Sequence, residues 1–356
     1  MRDYELNFES KIKKFEEKLR NLIDVYKLPG ISIAISHEDE IIYSAGFGYA
    51  DISKKVKAIP TTPYRIASLT KPIASTIILQ LMEKGVIDLD KSIAEYIPNY
   101  LEICRKNKKM LENQFFEYQG KKISYASQIE DYNFEKQNIT VRHHLQQTIM
   151  NEPGEEYRYN GLLFSLLGIA VDFQVEEKFL GLVRKNIIET LDMKDSLPCQ
   201  EDESKPTILK RLATPYQLNE KRELVEAEYP QKNGSAAAGI ISTVLDYMKF
   251  DKALNTNRLI SEKTKEMAFT KPKTKSGREL PYGLGFFVQR MREYEGKIIW
   301  HYGHWPTFSS LYLKRPINKM TLVMFANSDG LSNNFGLGGG DLAGSPFALA
   351  FLEIFG

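Results

Sequence analysis

The sequence predicts an α/β (α+β) fold: an antiparallel β-sheet flanked by N- and C-terminal helices, beside an all-helical lobe. Three observations carry this. The chain opens on an amphipathic helix and a hairpin pattern, its middle is dominated by helical periodicity, and it closes on strand-like segments and a last helix. The two ends are therefore expected to build one sheet, over approximately 1–67 and 235–356, with the helical lobe at 68–234. Small-molecule sites favour clefts between such lobes.

Each element has its own signal. Phe8, Ile12, Phe15, Leu19, Leu22 and Tyr26 recur every three or four residues with Lys and Glu between them, so this helix buries one face until "LPG" at 28–30 ends it. "ISIAIS" and "EIIYSAGFGYA", separated by the polar "HED", read as a β-hairpin. In "TIILQLMEKG" the apolar Ile77, Ile78, Leu81 and Met82 keep helical spacing and Gly85 is the stop. "GVIDLDKSIAEYIPNY" reads as a turn and short helix, and the polar, aromatic-rich residues 101–138 as an insertion. "ITVRHHLQQTIM" and "LLFSLLGIAVDF" are again helical, around the turn "NEPGEE". "YGLGFFVQR", "KIIWHY", "FSSLYLK" and "TLVMFANS" read as strands, and "DLAGSPFALAFLEIFG" as the closing helix.

Bulk properties narrow the function. The 356 residues carry 48 Lys and Arg against 46 Asp and Glu, a net charge of +2 that gives no electrostatic reason to expect nucleic acid or a membrane surface. The basic runs "CRKNKKM" and "KPKTKSGR" read as solvated loops. No apolar stretch has the length of a membrane span. The N-terminus lacks the apolar core of a secretory signal, so the chain is expected to be cytoplasmic or exported with its signal removed. Cys104 and Cys199 form no metal or disulfide framework by spacing, and either pair or stay free.

The chemistry concentrates in "YRIASLTKPIAS" at 64–75. Proline is tolerated only near a helix start, so Pro72 places that start at or just before Ser68. Residues three apart on a helix share a face, which brings Ser68 Oγ and Lys71 Nζ together. Free N–H groups and the positive dipole end there favour a developing alkoxide. Ser10 and Lys13 repeat the spacing on the polar face of the first helix, where it is decorative. Two more segments matter: "EPGEEYRYNG" sets Tyr159 beyond a Pro-Gly turn at the mouth of a helix, and "WHYGHWPTFSS" sets His301 and Gly303 on a strand before a turn.

Together these segments resemble the serine β-lactamase and penicillin-binding-protein superfamily, in particular its class C lactamase, esterase and D-aminopeptidase branch. That branch carries Ser-x-x-Lys, Tyr-x-Asn and a Lys/His-x-Gly strand in this order. "LPGISIAI", "ITVRH", "AAAGIISTVLDYMKF" and "YGLGFFV" extend the likeness over most of the chain, as one catalytic domain. The resemblance implies that Ser68 is the nucleophile, Lys71 its proton acceptor and Tyr159 the proton shuttle to the leaving group. It implies backbone N–H groups of Ser68 and His304 as oxyanion donors, His301 and Gly303 on the substrate strand, and no metal or cofactor.

The departures from the pattern are specific. The third residue of the tyrosine motif is Gly161, so an amide is lost unless Asn160 supplies it. The strand reads His-Tyr-Gly, putting a histidine where a lysine would grip a carboxylate and Tyr302 where a threonine would stand. "QQTIMNEPG" is shorter than its counterpart. These changes point to hydrolysis or acyl transfer on an ester or uncharged amide. The alternatives are β-lactamase or D-alanyl-D-alanine carboxypeptidase activity, and a catalytically impaired member that binds peptidoglycan-like or acyl ligands.

Other motifs are weaker. No Gly-x-Ser-x-Gly elbow exists in "NGSAAAG" or "LAGSPF". His301 and His304 would point to opposite faces of a strand, and the adjacent His143 and His144 read as surface or capping residues. "GLGGGD" at 336–341 reads as a flexible loop or an anion cradle, and Trp300 and Trp305 as acyl-pocket lining or core.

Overall fold

The computed structural model describes residues 2–356 apart from 114, 119, 120, 131, 137, 231 and 334; for 2–7, 116–118, 121–123 and 128 only the backbone is considered. The chain begins with α1 (Arg2–Val25), β1 (Gly30–His37), β2 (Glu40–Asp51), β3 (Val56–Lys57) and β4 (Tyr64–Arg65). Then come α2 (Thr70–Glu83), α3 (Tyr100–Glu112), the hairpin β5 (Phe115–Tyr118) and β6 (Lys121–Ser124), α4 (Val141–Gln146), α5 (Gly161–Phe164), α6 (Leu166–Gln174) and α7 (Phe179–Leu182). α8 (Pro206–Lys210), β7 (Tyr216–Leu218), β8 (Leu224–Glu226), β9 (Ile241–Ser242), α9 (Val244–Asn255) and α10 (Glu262–Ala268) lead back to the sheet. β10 (Phe287–Met291), β11 (Tyr294–Trp305), β12 (Phe308–Arg315), β13 (Met320–Ala326) and α11 (Pro346–Phe355) complete it.

The main sheet has seven strands in the order β10-β11-β12-β13-β1-β2-β3. Its neighbours pair antiparallel, and the ends of the chain meet where β1 lies against β13, Ile31 opposite Ala326 and His37 opposite Met320. The first hairpin turns on Glu38 and Asp39, both with left-handed φ, 52° and 66°, as a two-residue hairpin turn demands. β1 is buried along Gly30–Ser36 because both its faces are covered. On one face Ile31, Ile33 and Ile35 meet Phe15 and Leu19 of α1 and Phe351 and Phe355 of α11. On the other, Ala34, Tyr312, Val323 and Phe325 join Tyr247 and Phe250 of α9, in a core that continues into α2, α4, α5 and α6.

α2 is buried from Thr70 to Leu79 because it runs through that core. Pro72 is its third residue, where an amide would have had no intrahelical acceptor. At the other end Gly85, at φ +72°, lets Val86 N reach back to Leu81 O over 2.9 Å, a left-handed helix stop. The described residues of the 101–138 region, read from sequence as an insertion, include most of α3 and the hairpin β5–β6. Cys104, Leu111, Ile129 and Tyr132 bury into the helical core, and Tyr100 OH, Tyr132 OH and the imidazole of His144 form a buried chain of contacts at 2.5 and 3.3 Å. His144 is thus a core residue, where a surface or capping role is the expectation from sequence; burial pushes its imidazole down to about 3. Its neighbour His143 does cap, its Nδ1 accepting from Thr140 N over 3.2 Å.

Candidate active site

Ser68 sits in a short 3₁₀ turn, Ala67–Leu69, that leads into α2. Two clamps fix the turn. On one side β4 pairs with β9, and Ile66 N donates to Ile240 O over 3.0 Å. On the other, Ser310 Oγ of β12 donates to Ile66 O over 2.8 Å. Between them Ala67 is forced to φ +48°, a left-handed conformation costing a residue with a side chain roughly 1–2 kcal/mol. Ser68 is only partly buried while its neighbours are buried, so the constrained turn presents one hydroxyl to the groove.

Lys71 lies one turn further along and is fully buried. Its Nζ donates to Ser68 Oγ over 2.9 Å and to Ala237 O over 3.1 Å. Its surroundings are otherwise aromatic, with the rings of Tyr159 and Phe164 at 4.9 and 5.5 Å. Among the described residues no carboxylate pairs with it. Removal from water is the cause that pushes its amine down to about 7, since burial penalises the charged form.

Tyr159 approaches from the segment before α5. Its phenol is buried, and burial together with Tyr302 pushes it well above the ordinary value. Ser68 lies near enough to pull in the opposite direction, yet the hydroxyl completes no hydrogen bond among the described residues. The ring is seated by Phe287, stacked at 6.0 Å, and by Tyr302 at 5.6 Å.

Gly303 faces the same turn. A Cβ there would lie 2.4 Å from Ile66 O and 2.1 Å from Ser310 Oγ, so only glycine lets β11 lie this close to the turn that carries Ser68. The following residue, His304, is exposed, with its Nδ1 3.2 Å from Ser332 Oγ.

Ser68, Lys71, Tyr159 and Gly303 are thus gathered in one place. Two other residues singled out from the sequence are placed differently. His301 is completely buried, not open to the groove. Its Nε2 contacts Tyr282 OH at 2.8 Å and its Nδ1 contacts Tyr302 O at 2.6 Å. Asn160 caps α5 with its amide oxygen, Oδ1 accepting from Leu163 N over 3.0 Å. Gly161 does stand beside the lysine, since a Cβ there would be 3.6 Å from Lys71 Nζ. Trp300 is core, stacked on Phe287 at 4.2 Å. The 336–341 glycines border the site through Gly338, whose carbonyl accepts from Tyr157 OH over 2.8 Å.

Sequence reasoning missed the Ala237 carbonyl, the strained Ala67 and the Tyr282 partner of His301. "AAAGIIS" is a usable landmark, but a backbone oxygen has no letter of its own. The tyrosine in "PYGLG" could have been weighed beside the histidine it meets.

A family model described as beta-lactamase matches residues 15–337. The chain belongs to the beta-lactamase family. Within it, penicillin-binding protein 4* of Bacillus subtilis is 24% identical over 90% of this chain and 73% of its own length. Other curated relatives are longer, and the chain spans 60% of their length. Among solved structures, the octameric penicillin-binding protein homologue of Pyrococcus abyssi matches with a TM-score of 0.71 at 21% identity, over 96% of this chain and 77% of that one. The D-amino acid amidase of Ochrobactrum anthropi matches at 0.67 and 20% identity, over 95% and 98%. These likenesses establish the mixed fold of helices and antiparallel sheet, and no described helix is long and apolar enough to cross a membrane.

Proposed function

We propose that this member of the beta-lactamase family is a serine hydrolase that forms a covalent acyl-serine on an ester or uncharged amide. One observation carries the reading: a fully buried lysine, without a carboxylate, holding the only half-open hydroxyl of the turn at 2.9 Å. An amine near pH 7 in its affinity for protons can take the Ser68 proton as Oγ attacks the carbonyl carbon, activating a poor nucleophile. The negative charge that develops on the carbonyl oxygen falls to N–H groups of Ser68 and His304; one such donor is typically worth about 3 kcal/mol in the transition state. When the bond to the leaving group breaks, the Tyr159 hydroxyl supplies its proton and is reprotonated from Lys71. Water then cleaves the acyl-serine by the reverse route, releasing the acid.

What surrounds these groups supports the substrate class. His301 is buried and engaged at both nitrogens, so the position that would hold a carboxylate offers no cation. Hydrolases among the relatives, such as the D-amino acid amidase, support the reaction type. The expected results are a fluorophosphonate adduct on Ser68 by intact mass, and turnover of p-nitrophenyl esters exceeding that of nitrocefin. Efficient nitrocefin turnover with poor ester cleavage would make it a lactamase instead. A second reading, a ligand-binding member without turnover, is favoured by Gly161, which leaves Lys71 without an amide neighbour there; no labelling by the fluorophosphonate or by penicillin would establish it.

A further inference from the structure

We propose that Tyr282 is a positioning residue that locks His301 as a neutral imidazole protonated on Nδ1, leaving the leaving-group side of the groove without a cation. The inference rests on the acyl-serine reading for its consequence, but not for its geometry.

The protonation state follows from the partners. His301 Nδ1 lies 2.6 Å from the Tyr302 carbonyl oxygen. A carbonyl only accepts, so Nδ1 must carry the hydrogen. In a neutral ring Nε2 then holds the lone pair, and Tyr282 OH, 2.8 Å away, is its donor. Both side chains are fully buried. To become a cation, His301 would need a proton on Nε2; Tyr282 OH would then have to turn and accept, leaving its own buried hydrogen without an acceptor among the described residues.

Among the groups around the ring only the Tyr302 carbonyl favours that cation, and it is outweighed. The groups facing the ring are Lys71 from α2, Tyr159 from the turn before α5, Tyr282 and Phe287 around the start of β10, and Tyr302 on its own strand. None is a carboxylate, and burial and the Lys71 charge both push the imidazole well below 6.5. Tyr282 is itself held in place, edge-on to Phe287 at 4.6 Å and stacked on Tyr157 at 6.1 Å. Beside Lys71, the rings against Tyr159 are therefore Phe287, neutral phenols and a neutral imidazole. Among the described residues, the one cation the structure sets against Tyr159 and His301 is Lys71, which must be uncharged to act. The site takes neutral alcohol or amine leaving groups.

The test uses the full chain labelled with imidazole-¹⁵N histidine, together with two matched esters, 4-acetoxybenzoate and its methyl ester, whose rates are normalised to hydroxide hydrolysis. The expected ¹H–¹⁵N spectrum shows His301 as the Nδ1–H tautomer, unchanged from pH 5 to 9. In Tyr282→Phe its Nε2 resonance moves, and a second tautomer or the imidazolium appears below pH 6. The wild type should favour the methyl ester at least tenfold in kcat/KM, and this preference should shrink in Tyr282→Phe toward pH 5.5 but not at pH 8.5. A hydrogen on Nε2 in the wild type, ordinary titration of His301, or equal rates on the two esters overturns the proposal. A preference identical in both proteins at every pH overturns the role of Tyr282. Should the variant not fold, the wild-type tautomer and ester preference decide. If neither ester is turned over while the tautomer is as expected, the acyl-serine reading falls and the lock on the histidine stands.

Discussion

Two buried lysines sit in opposite surroundings in this molecule. Lys314, on β12, is 3% exposed and Lys71, on α2, is 0% exposed, so burial does not distinguish them. Lys314 pairs with Asp251 of α9 at 2.7 Å. The same carboxylate accepts from Tyr312 OH at 2.7 Å and Thr321 Oγ1 at 2.9 Å. That cluster fastens a helix to the sheet. Lys71 meets a serine hydroxyl, a backbone carbonyl and two rings. The presence or absence of one carboxylate separates a fastener from the reagent we propose Lys71 to be.

The largest expected effects break this contrast directly. Ser68→Ala and Lys71→Met should each lower turnover by about 10³-fold or more, as loss of a nucleophile or its base does. Their melting temperatures should stay near the wild type or rise, because Lys71→Met removes an amine that burial disfavours. Lys314→Met should do the reverse: it strands Asp251 and should cost roughly 3–5 kcal/mol in denaturant unfolding, with turnover per folded molecule retained. Lys71→Met unfolding as readily as Lys314→Met would erase the distinction. Gly303→Ala comes next. The methyl would clash with Ile66 O and Ser310 Oγ, so about 1–3 kcal/mol of stability should be lost, and turnover should fall roughly 10²-fold as the turn shifts.

The pH dependence sharpens the contrast. With the Lys71 amine at about 7, kcat/KM should rise through pH 7, because only the neutral amine accepts a proton. Stability should move the same way. Between about pH 7 and 10.5 the unfolded chain holds a proton on this amine that the folded chain does not, so its contribution to stability grows with pH across that window. Lys71→Met should flatten both trends. The smallest effect belongs to Gly161→Ala. Its Cβ would meet Lys71 Nζ at 3.6 Å and Ala237 Cβ at 4.0 Å, ordinary contacts, and the fold should gain about 0.4–1 kcal/mol from the less flexible unfolded chain.

The architecture was legible because its pieces obey local periodicities. The stripe of Phe15 and Leu19 in α1, the alternation in the hairpin, and the apolar runs of β12 and β13 each dictate their own element, and the sheet follows from their order. Ser68 and Lys71 were legible because a proline fixes the helix start they share. His301 was misplaced for a physical reason: strand alternation tells which side a residue takes, not which distant side chain will cover it, and Tyr282 arrives from a separate segment. α3 was hidden by charge, although Tyr100, Cys104 and Leu111 are spaced to lie on one helical face.

The most direct test of the central claim is the rate at which a fluorophosphonate modifies Ser68, followed by intact mass across pH 5 to 9. The account predicts a single adduct on Ser68 whose rate rises with a midpoint close to that of the buried amine, about 7, and collapses in Lys71→Met. A rate independent of pH, or one that survives loss of the lysine, would contradict it.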